Sequence, residues 1–146
     1  YIGSGLRDTA MHELGVGTTH EMNSVITGIF FPSWQCPALT IGEKFALWGT
    51  RSGEVFQNLK SVGYIDITEV VSNLEIPTYF FSGSYDYTVN YGLSRDYLEK
   101  LDAPVKGFYT FENSAHTPLI EEPAKMETIL REDVLTGSVS LADGNA

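Results

Sequence analysis

The chain has 146 residues, enough for one modest hydrophobic core and short for a complete enzyme with a covering lid, so one domain or a piece of one is expected. Apolar residues make up 42% and charged residues 19%, with eight Phe, eight Tyr and two Trp, which is a globular composition and excludes a disordered one. A net charge of −10, from nineteen acidic against nine basic residues, opposes contact with nucleic acid or anionic lipid.

The single cysteine, Cys36, excludes an intrachain disulfide and makes a zinc site a poor reading; a half-buried thiol is the expectation. No apolar run approaches membrane-spanning length and the amino terminus carries no basic stretch ahead of an apolar one, so no membrane partner is expected and a cytoplasmic location is the default.

In chain order, the segment before Gly15 reads as helical. Gly15-Val16-Gly17 has part of a dinucleotide fingerprint, but it follows a helix and lacks the third glycine, so it reads as a turn. Thr18 and Glu21 have the spacing of a capping box, after which Met22, Val25, Ile26, Ile29 and Phe30 recur at helical intervals until Pro32. A second box, Thr40 with Glu43, opens a stretch in which Phe45 and Trp48 share a face before Gly49 and Gly53 weaken the pattern, which predicts one broken helix or two short ones. Asp66 to Val71 also reads as helical.

Near Asn73 the pattern changes, dividing the chain into a helical segment, 1–73, and a strand-helix-strand-helix segment, 74–135. Ile76 to Phe81 is β-rich and closes on Ser82-Gly83, which predicts a strand buried on both faces. Val89, Leu93, Tyr97 and Leu101 mark the buried face of a helix that Ala103-Pro104 ends. Gly107 to Phe111 is a second strand, and Glu121-Glu122-Pro123 places charge and proline where a helix begins, ahead of Met126, Ile129 and Leu130. Thr136 to Ala146 is small, polar and unpatterned, and is expected to be a disordered tail without function.

A strand, a helix and a strand joined by short loops form a right-handed crossover, which leaves the two strands parallel. Asp86 follows the first strand and His116 the second, each by five positions, so both should emerge at the carboxyl edge of the sheet, where α/β sheets carry ligands. A carboxylate that accepts from one imidazole nitrogen fixes the tautomer and leaves the other nitrogen to act as general base. Taken alone, Asp86 is better read as a cap for the helix at Val89; the matched placement of the two residues raises the catalytic reading.

The segments IPTYFFSGSYDYTVN, LEKLDAP and KGFYTFENSAHTPLIEEP resemble the last third of α/β-hydrolases of the proline-iminopeptidase-like group. In that family the triad acid follows the penultimate core strand in a Gly-x-x-Asp pattern, matched by Gly83 to Asp86, and the histidine follows the last strand, matched by Ser114-Ala115-His116. The resemblance covers Ile76 to about Leu135; the helical segment from Leu6 to Asn73 resembles, less specifically, the cap such enzymes place over the active site. It implies a partial α/β-hydrolase fold, with Asp86 and His116 as the acid and base of a Ser-His-Asp triad that cleaves an ester or amide bond in a small molecule or short peptide, aminopeptidase-like chemistry included, and no cofactor.

One departure is large. No serine lies in a Gly-x-Ser-x-Gly elbow, with Ser4 and Ser84 coming closest, and the strands that supply an oxyanion hole are absent too. The chain is therefore expected to be a carboxyl-terminal fragment, with Tyr1-Ile2-Gly3 as the remnant of an earlier strand, and inactive by itself. Two alternatives stay open: a noncatalytic module with hydrolase-like architecture, pairing with another copy through an exposed sheet edge, and a relative whose upstream nucleophile is an aspartate, as in dehalogenases.

Other residues carry weaker signals. His12 and His20 lack metal-ligand spacing and read as exposed or capping. Phe30, Phe31, Trp34 and Trp48 read as cap core in preference to a pocket lining, and Glu13, Glu21, Glu43 and Glu54 are acids of the type that can hold a substrate's amino terminus in that family, with no motif to assign the role.

Overall fold

The computed structural model describes residues 5–49 and 65–144. The chain begins with helix α1 (Gly5–Glu13), which closes on Gly15 at φ +76°. The Val16 N–H reaches the Met11 carbonyl and the Gly15 N–H the His12 carbonyl, a left-handed helix stop that suits glycine. The expected turn at Gly15-Val16-Gly17 is therefore present.

The next helix departs from expectation at both ends. Thr18 to Glu21 forms no capping box, because this loop bonds outward: the Thr18 carbonyl accepts from Thr117 Oγ1, and the His20 N–H donates to Glu121. The helix starts later, as a widened turn (Ile26–Phe30) whose opening Ile26 N–H is taken by Ser24 Oγ, and it runs on as α2 (Phe31–Gln35). Pro32 does not end it. The Phe31 N–H skips to the Ile26 carbonyl, and this wider turn accommodates the ring and missing N–H of the proline that follows.

The second capping box forms as read. Thr40 Oγ1 accepts from the Glu43 N–H, Glu43 Oε2 accepts from the Thr40 N–H at 2.8 Å, and helix α3 (Ile41–Gly49) follows. Edge-on contacts of Phe45 with Trp34 and of Trp48 with Phe30 hold α3 to α2 and to the widened turn before it, and the indole of Trp48 donates to Ser33 Oγ. These rings pack on one another without forming a buried core: Phe30, Trp34 and Trp48 are half-buried and Phe45 is exposed. The continuation past Gly49, with Gly53 and Glu54, lies outside the described residues. Helix α4 (Ile67–Val70) is opened by Asp66, whose carboxylate accepts from the Thr68 N–H.

The remainder combines helices with a small parallel sheet, an arrangement of the α/β class. Strand β1 (Thr78–Gly83), helix α5 (Tyr91–Lys100) and strand β2 (Lys106–Phe111) follow one another, and β1 pairs in parallel with β2 from Thr78 opposite Lys106 to Gly83 opposite Phe111. The strand begins two residues later than predicted, since Pro77 has no N–H and the Thr78 N–H makes the first bond, to the Val105 carbonyl. Strand alternation sends Phe80 and Phe108 to one face, against Leu98 and Leu101, and Tyr79, Phe81, Tyr109 and Phe111 to the other, against Met126 and Ile129. Helices thus cover both faces.

Two burial expectations fail. Tyr79 to Phe81 are half-buried instead of fully buried, because β2 is the only strand paired with β1 among the described residues. Leu93 on α5 is 68% exposed and Val89, in the turn before it, 46%, while Leu98 and the C-cap Leu101 are buried. A row of strict fourth-residue steps winds around a helix of 3.6 residues per turn, so it cannot stay on one face. Lys106 closes the helix by donating to the carbonyls of Leu98, Glu99 and Leu101.

After β2 comes a short helix that the sequence did not announce, α6 (Pro118–Glu121), then α7 (Pro123–Ile129) from the expected proline, continued by a wide turn (Leu130–Val134). The tail expected to be disordered is instead folded back as far as Gly144. Fully buried Asp133 accepts from Tyr109 Oη, Ser138 Oγ and the N–H groups of Ser140 and Leu141, and the Asp143 N–H donates to the Phe108 carbonyl. Small polar residues looked patternless because their order depends on one buried carboxylate. Burial alone would raise the Asp133 pKa, but these donors outweigh it and hold the group below the ordinary aspartate value. Among the described residues no helix is long and apolar enough to cross a membrane.

Candidate active site

The site is built where the two parallel strands end. Gly83 closes β1, and a Cβ there would collide with the carbonyl oxygens of Ala115 and Ser114, so only glycine lets the two loops touch. The contact is stitched by backbone bonds from the Ser84 N–H to the Phe111 carbonyl and from the Tyr85 N–H to the Ser114 carbonyl. The Gly-x-x-Asp spacing thereby turns the chain back, with the Asp86 N–H donating to the Gly83 carbonyl.

Asp86 divides its carboxylate. Oδ1 accepts from the Thr88 and Val89 N–H groups, and Oδ2 lies 2.8 Å from His116 Nδ1. Asp86 therefore pairs with His116 through one oxygen and ties the turn before the helix through the other, but it does not cap the helix as expected; Asn90 does, accepting from the Leu93 N–H. The Asp86 side chain is 8% exposed and that of His116 42%, so the pair has a buried acid and an accessible base. Nε2 has no hydrogen-bond partner among the described residues, and the imidazole lines a concavity of about 310 Å³ together with Phe81, Ser82, Val89 and Ser94. With Nδ1–H donated to the acid, Nε2 keeps its lone pair and can take a proton from a hydroxyl, thiol or water placed there.

The histidine loop is held from behind by two acids that the sequence reading treated only as helix-start charge. Glu121 Oε2 accepts from the Ala115 N–H at 2.8 Å, and Glu122 Oε2 accepts from the Asn113 N–H and from Ser114 Oγ. A signal was available: a buried turn leaves N–H groups in need of acceptors, and these acids follow within nine positions. His20, read as exposed or capping, stacks its ring on Tyr85 at 3.5 Å, beside the acid's loop.

The remaining sequence candidates lie elsewhere. His12 is half-buried near the end of α1, Glu13 and Glu21 are exposed, and Glu43 serves the α3 capping box, whose Thr40 hydroxyl and N–H hold its carboxyl below the usual range. Ser84 is exposed in the turn after β1, and Ser4 lies outside the described residues. Among the described residues no group of three or more His, Cys, Asp or Glu is placed to hold a metal ion.

The fold and site thus describe an α/β-class chain with an aspartate-histidine pair at the carboxyl edge of a parallel sheet. Over 54 residues the chain is 46% identical to the probable aminopeptidase YbaC of Bacillus subtilis (strain 168), a stretch amounting to 37% of this chain and 17% of that protein. This similarity indicates a peptidase or hydrolase relationship. No family model and no solved structure matches the chain.

Proposed function

We propose that the chain is the cap and carboxyl-terminal part of an α/β-fold serine hydrolase that cleaves an ester or amide bond, with aminopeptidase-like action on small substrates or short peptides. His116 is the general base and then the general acid, Asp86 orients it, and the serine comes from polypeptide preceding this segment. On this reading 1–73 is the cap and 74–135 the end of the hydrolase core. A single cysteine suits a reducing, cytoplasmic setting, which belongs to the same proposal.

The observation that carries the reading is the 2.8 Å contact of Nδ1 with a nearly buried carboxylate in a histidine that is itself accessible and lines a concavity. This is the geometry general-base catalysis requires: the acid fixes the tautomer and stabilises the imidazolium that forms. The partial similarity to a protein named as a probable aminopeptidase supports the substrate class.

The purified chain should show no turnover of an activated ester or an aminoacyl anilide. A longer polypeptide that supplies a Gly-x-Ser-x-Gly elbow should hydrolyse one of them, and Asp86→Asn in it should lower kcat by roughly 10⁴-fold with KM little changed. Undiminished kcat in that variant removes Asp86 from the mechanism.

One observation favours a second reading, a noncatalytic assembly module: β1 is paired along one edge alone among the described residues, and an open edge is a template for another strand. Size-exclusion chromatography separates the two readings, since a tight homo-oligomer of the isolated chain supports assembly and an inert monomer supports the hydrolase part.

A further inference from the structure

The loop that carries His116 is fixed on two sides. Its carbonyls, from Ser114 and Ala115, face Gly83 and the Asp86 loop, and both residues are fully buried. Its N–H groups and the Ser114 hydroxyl face Glu121 and Glu122. Neither glutamate is needed to cap the helix that follows: Glu122 stands at the N-cap position of α7 and makes no capping bond with its side chain.

Glu121 does more than close the turn. One oxygen accepts from the N–H of Ala115, the residue immediately before His116, and the other accepts at 2.5 Å from the N–H of His20, far away in sequence in the helical segment. The His20 ring then lies flat on Tyr85, next to Asp86. A second bond, from Thr117 Oγ1 to the Thr18 carbonyl, ties the same two loops. A charged acceptor with two N–H donors is stronger than a neutral one, and it fixes direction as well as distance.

We propose that Glu121 is a positioning residue: it sets the backbone from which the His116 imidazole reaches Asp86, and it locks the 17–22 loop of the helical segment to that backbone through His20. The catalytic consequence rests on the hydrolase reading, whereas the positioning itself does not. Loss of Glu121 frees the Ala115 peptide to turn, the imidazole leaves its line with Asp86 Oδ2, and the tautomer is no longer imposed.

The test uses the 146-residue chain with Glu121→Gln and Glu121→Ala, read by amide hydrogen exchange and by nitrogen NMR of the His116 ring. In E121A, exchange at both Ala115 and His20 should quicken by about tenfold or more, the change expected on losing a charge-assisted hydrogen bond. In E121Q the amide group has a single acceptor oxygen, so one of the two sites should quicken and the other stay protected. In E121A, and in E121Q if Ala115 is the site that quickens, the signal of a proton fixed on Nδ1 should give way to that of a mixed, unbound imidazole; if His20 quickens instead, E121Q should keep the Nδ1 signal. In every case the β2 amides of Phe108 and Tyr109 keep their protection. Should E121A unfold the chain, shown by loss of β2 protection, the near-isosteric E121Q decides by the same criteria. Ring signals that stay at their unsubstituted positions despite faster exchange at Ala115 would overturn the proposal and leave the hydrolase reading standing. Wild-type kcat in the Asp86→Asn enzyme would do the reverse.

Discussion

The two ends of this chain are built on different principles. From Leu98 to Ala142 buried side chains recur on both faces of a strand pair, whereas between residues 5 and 49 Met22 alone is buried among the described side chains and Phe45 is 64% exposed. The first region derives its order from apolar burial, at roughly 25 cal/mol per Å². The second is held by aromatic contacts within itself and by polar bonds from Thr18 and His20 to the histidine loop. The aspartate-histidine pair belongs to the well-buried region, and the helical region meets its loops through hydrogen bonds from Thr18 and His20 and through the stack of His20 on Tyr85.

The sharpest way to break the well-buried region is Gly83→Ala. The added methyl would collide with two backbone carbonyls that cannot swing aside, so the chain should lose about 3 kcal/mol in urea denaturation, together with the His116–Asp86 contact. A variant that unfolds at the original urea midpoint would show that the loops have room to separate.

A somewhat smaller effect is expected from Asp133→Asn, at about 2 kcal/mol, since an amide nitrogen would face donors that now meet a carboxylate. Limited proteolysis should then cut between residues 136 and 144 in the variant and leave that stretch of the parent chain intact. The pH dependence has a definite sign. The folded pKa of Asp133 lies below its unfolded value, so its contribution is complete above the ordinary aspartate range and is lost as pH falls through the lowered value. Acid titration of urea midpoints should therefore show a steeper low-pH loss for the parent chain than for D133N.

The smallest effect belongs to the helical region. Thr40→Ala removes one side of the α3 capping box and should cost about 1 kcal/mol of local helix stability, seen as faster amide exchange across Ile41 to Glu43 with β2 unchanged. Equal loosening of β2 would mean that the regions unfold together and would undo the contrast.

Much of this plan is legible in the sequence where chemistry is local. The parallel strand pair, the Pro123 helix start, the Thr40–Glu43 box and the meeting of Asp86 with His116 all follow from spacing and turn residues. The errors arise where distant partners decide. Thr18 and Glu21 have the spacing of a cap, yet their loop is claimed by Glu121 and Thr117; the tail looks frayed until Asp133 is seen to gather it. Pro32 reads as a stop, and a single widened turn lets the helix pass it. Glu121 and Glu122 escaped notice because an acid ahead of a helix has a sufficient local explanation, and only the fold shows that they face the histidine loop.

The most direct measurement is nitrogen NMR of the His116 ring in the unsubstituted chain and in Asp86→Asn, near neutral pH. The neutral ring should carry its proton on Nδ1 with Nε2 bare, and the substitution should release it to the mixture typical of a free imidazole. A proton held mainly on Nε2, or spectra that the substitution leaves unchanged, would mean that the carboxylate does not orient the base.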